Sequence, residues 1–257
     1  MIKFFRKIRQ RLLSENRFSK YLLYAIGEIL LVVIGILIAL NINNNNELKK
    51  QRAQELHYLK NIKTDLKLNI AHLNNYIATR QKAINSANAI IAHYEGQPIE
   101  DLKAFSRKTI DIYTWQKFSQ INNTFQELMN SGNLALISND SIKGILLNME
   151  SLYKSLKSEE EHFRYDAEIM LYEPSYKMMD MNPIVQNYMY YVSEGAVGEN
   201  RDLPKVEFEA MLKDTQQKNG FVMAVYEFTV MNNQFRQMKD MCQKLIELID
   251  KEIELDD

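Results

Sequence analysis

The chain has 257 residues, with 32 Lys and Arg against 33 Asp and Glu, one cysteine, 8 Gly and 4 Pro. A sandwich, barrel or doubly wound sheet needs a turn about every 8 to 12 residues, built largely from Gly, Pro, Asn and Asp. The shortage of Gly and Pro therefore favours an all-α fold. A net charge of -1 gives no overall electrostatic case for nucleic-acid binding, and the single cysteine, Cys242, excludes an intrachain disulfide or a Cys-rich zinc site.

An apolar segment near the N-terminus is the strongest signal in the sequence. Residues 21–40, YLLYAIGEILLVVIGILIAL, contain a single charge. As a helix rising about 1.5 Å per residue, this segment spans the roughly 30 Å of a hydrocarbon core. We therefore predict a transmembrane helix at residues 21–42, in contact with the lipid bilayer.

The basic residues on either side of the span predict its orientation. Residues 1–20 carry seven Lys and Arg, and residues 41–60 carry four. Because basic residues collect on the cytoplasmic side, we expect the arm 1–20 in the cytoplasm and the rest of the chain outside it. The arm is either simply this topology signal or also an amphipathic helix on the inner leaflet. A cleaved signal peptide is a weaker alternative, because no small-residue pair typical of cleavage follows the apolar run.

One face of the predicted span carries a carboxyl group. Glu28, Val32, Gly35 and Ala39 follow helical spacing, so the charge shares a face with a Gly-x-x-x-Ala pair that permits close helix approach. An ionisable side chain inside a membrane costs a few kcal/mol unless it is paired, protonated or faces other helices. This face therefore predicts self-association or docking on a partner membrane protein. The alternative is a Glu28 close enough to the cytoplasmic interface to be hydrated.

Two stretches carry a resemblance to a known family. The opening MIKFFRKIRQRLLSENRFSKYLLYAIGEILLVVIGILIALNI and the later FQELMNSGNLALI resemble a family of uncharacterised single-pass membrane proteins from Bacteroidota, the domain of unknown function family numbered 6090. Members usually read IN-x-W-N-E after the span, whereas residues 42–47 here read INNNNE, without the Trp. The resemblance implies an inner-membrane protein that faces the periplasm with a helical C-terminal region. It supplies no catalytic residue.

Apolar residues recur at threes and fours through most of the remaining chain. From residue 46 to about Tyr94 they predict one long helix with a heptad-like seam, ended by Gly96 and Pro98. A second helix is predicted from about residue 100 to 130, with a possible interruption at 113–115, before Ser131-Gly132.

Two further helices complete the predicted domain. A third begins after Ser138-Asn139-Asp140-Ser141, where a polar side chain can cap it, and a fourth begins near Pro204 and continues past Asn219-Gly220. Four helices with short connections predict an extended antiparallel four-helix bundle over residues 46–257.

The seams of the first and third helices are each interrupted by a charge. Counting about 1.5 Å per residue along helices that fold back on one another places Arg80 and Glu160 about 50 and 60 Å from the membrane. We predict that they face each other as a pair that fixes the register of the bundle. The alternative is that each is solvated on a helix flank, the commoner fate of a charge.

Residues 173–203 do not follow the bundle pattern. They contain Pro174, Pro183, Gly195 and Gly198, and they are rich in Tyr and Met. We predict an irregular insertion that contacts a partner or ligand, because Tyr and Met are enriched at binding surfaces. Its candidate residues are Tyr176, Met178, Met179, Met181, Tyr188, Met189, Tyr190 and Tyr191. The alternative is that these side chains cap the open end of the bundle core.

No catalytic, cofactor or metal site is predicted. The methionines of residues 178–189 could bind copper(I), but Met is also common in helical cores. Glu159-x-x-His162 is one half of a di-iron motif whose second half is missing. Cys242 falls on the apolar seam of the last helix, as a small buried hydrophobe does, and we find no phosphate-binding loop, H-E-x-x-H or G-x-S-x-G.

These observations favour a non-enzymatic inner-membrane protein whose periplasmic helical domain binds a partner or ligand, as a sensor or an accessory subunit. An arm of about twenty residues is too short for an output domain, so any signal would pass through a separate membrane protein. The alternative is an envelope scaffold that self-associates into a homo-oligomer. A periplasmic enzyme or a copper-binding protein is more remote.

Overall fold

The computed structural model describes residues 18–255, and every regular element in that range is helical. The helices in chain order are α1 (Phe18–Tyr94), α2 (Leu102–Tyr113), α3 (Asn123–Asn130), α4 (Asp140–Ala167), α5 (Glu173–Met178), α6 (Met181–Val192), α7 (Lys205–Met211) and α8 (Thr215–Glu254). A 3-10 turn, Asn133–Leu136, precedes α4, and a π-helical turn, Glu168–Tyr172, joins α4 to α5. The all-α prediction is confirmed for the described residues. Most of the predicted basic arm, residues 1–17, lies outside them.

The first part of α1 contains the predicted membrane span. Every side chain from Ile29 to Leu40 is exposed. A helix that is apolar all round suits a lipid environment, because the bilayer offers nothing for a polar face to contact. By length and composition, α1 is the one helix among residues 18–255 that can cross a membrane.

A separate compact unit spans Tyr58–Asp257. Within it, α1 buries the predicted apolar seam, whose fully or almost fully buried members are Leu59, Ile62, Leu66, Leu73 and Ala87. The helix ends at Tyr94, where Gly96 takes a left-handed φ of 106° and the N–H of Gln97 donates to the carbonyl of Ala92 at 3.1 Å. Because Gly adopts this conformation without strain, the predicted end of the first helix is confirmed.

Helices α4 and α8 pack along each other in antiparallel order. Asn139 caps the start of α4 by accepting from the N–H groups of Ser141 and Ile142, as predicted, and its amide donates to Glu252 near the end of α8 at 2.6 Å. Further along, the rings of Phe163 and Phe228 lie 4.4 Å apart. The two helices thus make an extensive contact within the unit.

The buried stripe of α8 forms much of the core. Phe235, Met238, Cys242 and Leu245 are fully buried. Burial raises the pKa of the Cys242 thiol to about 12, so the group stays protonated at neutral pH. The cysteine is therefore a small apolar core residue, as its place on the stripe predicts.

The second predicted helix is broken into two. Helix α2 ends at Tyr113 and α3 begins at Asn123, so the interruption is longer than the expected 113–115. The connecting residues 114–122 run beside α1: the Asn69 amide donates to the carbonyl of Ile121 at 2.6 Å and accepts from its N–H at 2.8 Å. Side chains of α1 thus replace the hydrogen bonds that a helix would provide.

The fourth predicted helix begins near Pro204 as predicted, but it is broken into two. Pro204 precedes α7, which ends at Met211, and α8 begins after Asp214, whose carboxylate accepts from the N–H of Gln216 at 2.8 Å. Asp is a strong N-cap residue, so a new helix begins there.

Residues 173–203 are more regular than predicted, because they contain α5 and α6. Pro174 lies in the first turn of α5, and the carbonyl of Ile169 in the preceding turn accepts from the Gln216 side-chain amide at 2.8 Å. Asp180 caps α6 by accepting from the N–H of Asn182 at 2.9 Å. The irregular part is limited to the turns after Val192, where Gly195 and Gly198 take φ values of 89° and 86°.

Candidate functional site

The predicted membrane face lies on the exposed part of α1. The side chains of Val32 and Ala39 are exposed, and a Cβ added at Gly35 would meet no described atom within 4 Å. Because this part of the chain is one continuous helix, Glu28 shares their face. The face is available for contact with another helix, but such contact stays a prediction.

Arg80 lies in the interior of the compact unit, with 2% of its surface exposed. Its guanidinium donates to the carbonyl of Gln116 at 2.7 Å and sits 5.1 Å from the ring centre of Trp115 and 4.6 Å from that of Phe228. Burial lowers its pKa to about 10, although the nearby Glu160 carboxylate acts to raise it. The cation is thus stabilised by two aromatic faces and one carbonyl.

Glu160 is fully buried on α4. One carboxylate oxygen accepts from the N–H of Phe118 at 2.6 Å, and the other accepts from the ammonium of Lys157 at 2.8 Å. Lys157 also donates to the carbonyl of Phe118. Arg80 and Glu160 are therefore not solvated on helix flanks, and both bind the segment 114–122. Their partners differ, however, so a direct register pair stays a prediction.

The structure divides the predicted Tyr and Met surface into two halves. Met179 is buried, and Met178, Met181 and Tyr188 are half-buried against the core, as the core-capping interpretation expects. The other four, Tyr176, Met189, Tyr190 and Tyr191, are between 39% and 64% exposed. We call these four residues the aromatic surface.

The aromatic surface rests on ordered structure. The Arg107 guanidinium lies 4.3 Å from the ring centre of Tyr191. After α6, the chain packs back against the helix so closely that a Cβ on Gly198 would lie 2.8 Å from the Cβ of Met189. Elsewhere on α5, its residues and those at the start of α8 line an open groove of about 550 Å³. Side chains that already make contacts of this kind lose less freedom when a partner binds.

A second candidate site lies between α4 and α8, and sequence analysis missed it. His162 and Asp166 are one turn apart on α4, and Glu227 faces them from α8. One ligand atom from each side chain lies within 4.8 Å of the other two. His162 Nδ1 and Glu227 Oε1 are 3.2 Å apart. Imidazole and carboxylate groups are the donors that divalent transition metals accept in proteins.

Glu227 is in an unusual environment for a carboxylate. It lies on the buried stripe of α8 between Ala224 and Met231, with 2% of its surface exposed. Neither of its oxygens takes part in an aligned hydrogen bond with any residue of the described range. Burial raises its pKa to about 7; the neighbouring Asp166 adds to this rise and His162 opposes it. Such a group gains more from a nearby cation than a solvated carboxylate does.

Part of this cluster was visible in the sequence. A His and an Asp at i and i+4 share one helix face, and Glu227 interrupts an otherwise apolar stripe. The motif considered from the sequence was Glu159-x-x-His162. Among the described residues, however, the structure groups His162 with Asp166 and Glu227 and not with Glu159.

Comparisons with known proteins give a family. Neither a curated protein nor a solved structure matches this chain. A family described as "Family of unknown function (DUF6090)" matches residues 28–172, which is more than half of the chain and includes most of α1 and all of α2 to α4. The match begins within the apolar stretch and ends at the π-helical turn, so it contains residues 28–42 of the opening stretch and all of FQELMNSGNLALI. The chain belongs to this family, DUF6090.

Proposed function

We propose that this protein is anchored in the inner membrane by residues 21–42, with its N-terminus in the cytoplasm and residues 46–257 in the periplasm. The apolar, exposed first part of α1 supports a span, and seven basic residues in 1–20 against four in 41–60 support the orientation. Fusing a phosphatase that is active only in the periplasm to either terminus tests this. Activity is expected from the C-terminal fusion alone, and the reverse pattern would contradict it.

The function that we propose for the helical domain is non-enzymatic binding of a partner or ligand. The observation that carries this proposal is the aromatic surface, the four exposed Tyr and Met side chains of α5 and α6. Aromatic side chains provide a large contact area with few rotatable bonds, and Met side chains adapt their packing to a partner. A partner that packs on them would remove their apolar atoms from water.

A pull-down of the tagged full-length protein from detergent-solubilised membranes tests this proposal. The test variant is Tyr176→Ala, Met189→Ala. The control is Tyr226→Ala, Met129→Ala, which removes the same two residue types at closely matched exposures, 64% and 39% against 64% and 43%. Because the few residues that dominate an interface are enriched in Tyr and cost about 2 kcal/mol or more when truncated, we expect partner recovery to fall about tenfold or more in the test variant alone. Equal recovery from both variants contradicts the proposal.

Self-association is the second candidate function. Its support is the helix face of Glu28, Val32, Gly35 and Ala39, of which the last three are exposed and small side chains permit close helix contact. Cross-linking from a cysteine placed at Gly35, in a chain with Cys242 replaced by Ala, separates the candidates. A high yield of homodimer favours the scaffold, whereas adducts with another membrane protein favour the sensor or accessory subunit.

A further inference from the structure

The spacing of His162, Asp166 and Glu227 resembles that of metal ligands. Around a tetrahedral ion with bonds of about 2.1 Å, neighbouring donor atoms lie about 3.4 Å apart. The 3.2 Å between His162 Nδ1 and Glu227 Oε1 already meets this requirement. The remaining separations, up to 4.8 Å, close with small side-chain rotations.

Glu227 provides a second and independent observation. Its carboxylate is almost completely buried, yet both oxygens lack an aligned hydrogen-bond partner among residues 18–255. Buried polar groups in folded proteins are normally satisfied, so this one requires an explanation. Both oxygens keep free lone pairs, and one of them lies close to a histidine nitrogen.

The surroundings of the cluster permit an ion to enter. His162 is 60% exposed, so its ring can turn between solvent and the carboxylates without disturbing the core. Water can then complete the coordination shell on the open side, as it does in zinc sites with three protein ligands. The buried Glu227 supplies the fixed part of the site, and His162 supplies the mobile part.

We propose that His162, Asp166 and Glu227 bind one divalent transition-metal ion, with Zn²⁺ as the ion that best fits one imidazole and two carboxylates. The imidazole disfavours Ca²⁺ and Mg²⁺, which prefer oxygen ligands alone. Copper(I) prefers thiolate and thioether ligands, and these three side chains provide no sulfur. The two carboxylates balance the charge of the ion.

Zinc binding by the full-length protein in detergent tests this site. The protein carries a tag without histidines, is dialysed against ZnCl₂, and its bound zinc is measured by mass spectrometry over a concentration series. Glu227→Gln and His162→Asn are the test variants. The matched control is His72→Asn, which removes an exposed histidine from α1. Fluorescence of Trp115, the one tryptophan of the chain, reports whether each variant is folded.

We expect one Zn²⁺ per chain in the wild type and in His72→Asn. The affinity should fall by about tenfold or more in each test variant, since changes to the outer shell alone cost 10- to 100-fold. Glu227→Gln keeps the shape of the side chain, so it stays informative if His162→Asn does not fold. The proposal is overturned if the wild type binds no zinc, or if Glu227→Gln binds zinc as tightly as the wild type.

Discussion

Two buried glutamates on facing elements of the same unit have opposite surroundings. Glu160 on α4 accepts hydrogen bonds on both oxygens, from the N–H of Phe118 and from Lys157. Glu227 on α8 is buried to nearly the same extent, but its oxygens have no aligned hydrogen bond within the described part of the chain. The Glu160 carboxylate therefore stabilises the fold, whereas the Glu227 carboxylate lies between α4 and α8 with lone pairs that a ligand can use.

We therefore expect Glu160 to contribute to stability and Glu227 to binding. Removing a carboxylate that holds other groups leaves those groups buried and unsatisfied, which costs free energy. Removing the Glu227 carboxylate relieves a desolvated charge, and the close partner that it leaves, His162, is exposed to water. The two sites should therefore respond in opposite ways to substitution, and three measurements test that expectation.

The largest effect is expected at Glu160. In Glu160→Ala, the Lys157 ammonium and the N–H of Phe118 lose their shared acceptor. We expect the free energy of unfolding to fall by about 3–5 kcal/mol, the usual cost of breaking a buried ion pair. A urea titration of the full-length protein in detergent, followed by Trp115 fluorescence, measures this loss.

The matched control for that substitution is Glu161→Ala, one residue along α4. Glu161 is exposed and pairs with Lys117 and Arg164, which lower its pKa to about 2. Because surface ion pairs contribute about 0–1 kcal/mol, this variant should lose far less stability. Equal losses at the two positions would mean that the hydrogen bonds of Glu160 are not structural.

A medium effect is expected at Gly220, two turns before Glu227 on α8. The free oxygens of Glu227 could also result from loose packing of α8, and Gly220→Ala tests this. An added Cβ would lie 2.6 Å from Leu171 Cδ2 and 2.8 Å from its Cγ. We expect the free energy of unfolding to fall by about 1–3 kcal/mol in the same urea titration, because overpacking outweighs the better helix propensity of Ala.

Gly144→Ala on α4 is the control for Gly220→Ala. A Cβ there would meet no described atom within 4 Å, so Ala should stabilise the helix by about 0.5–1 kcal/mol. If both substitutions stabilise the protein, α8 is loosely packed near Glu227 and the contrast between the two glutamates is weakened.

The smallest effect is expected from Glu227→Gln. Without metal, this variant should keep the free energy of unfolding within about 1 kcal/mol of the wild type or raise it, since the amide removes a buried charge whose oxygens have no aligned hydrogen bond among residues 18–255, and the nearby His162 is exposed to water. The same urea titration in the presence of a chelator checks this. A loss of several kcal/mol would show that Glu227 is structural, like Glu160.

The parts of the fold that could be predicted from sequence depend on nearby residues. The ends of helices at Gly96 and Asn139 were predicted because a cap is made by residues a few positions apart. The break at 114–122 was predicted only in part, because its hydrogen bonds come from Asn69 and Tyr76, roughly 40 to 50 residues away in sequence. Local periodicity contains no information about such partners.

In the candidate sites, too, only features made by residues close in sequence could be predicted. Composition identified the Tyr and Met segment, but which half of it is exposed depends on the way α5 and α6 pack against the core. His162 and Asp166 are visible as neighbours on one helix, whereas Glu227 joins them only through the antiparallel pairing of α4 with α8. The four predicted helices did not specify that pairing residue by residue.

The π-helical turn between α4 and α5 has a consequence for insertions and deletions. A turn of this kind holds one residue more than an α-helical turn, and each residue advances a helix by about 100°. The extra residue therefore sets which side of α5 faces the core, where the Ser175 hydroxyl shares a hydrogen bond of 2.7 Å with Tyr113. Deleting one residue from Glu168–Tyr172 would restore a regular helix and turn Ser175 away from the core. A chain with one residue more or fewer in this turn would then present different residues of α5 beside the groove.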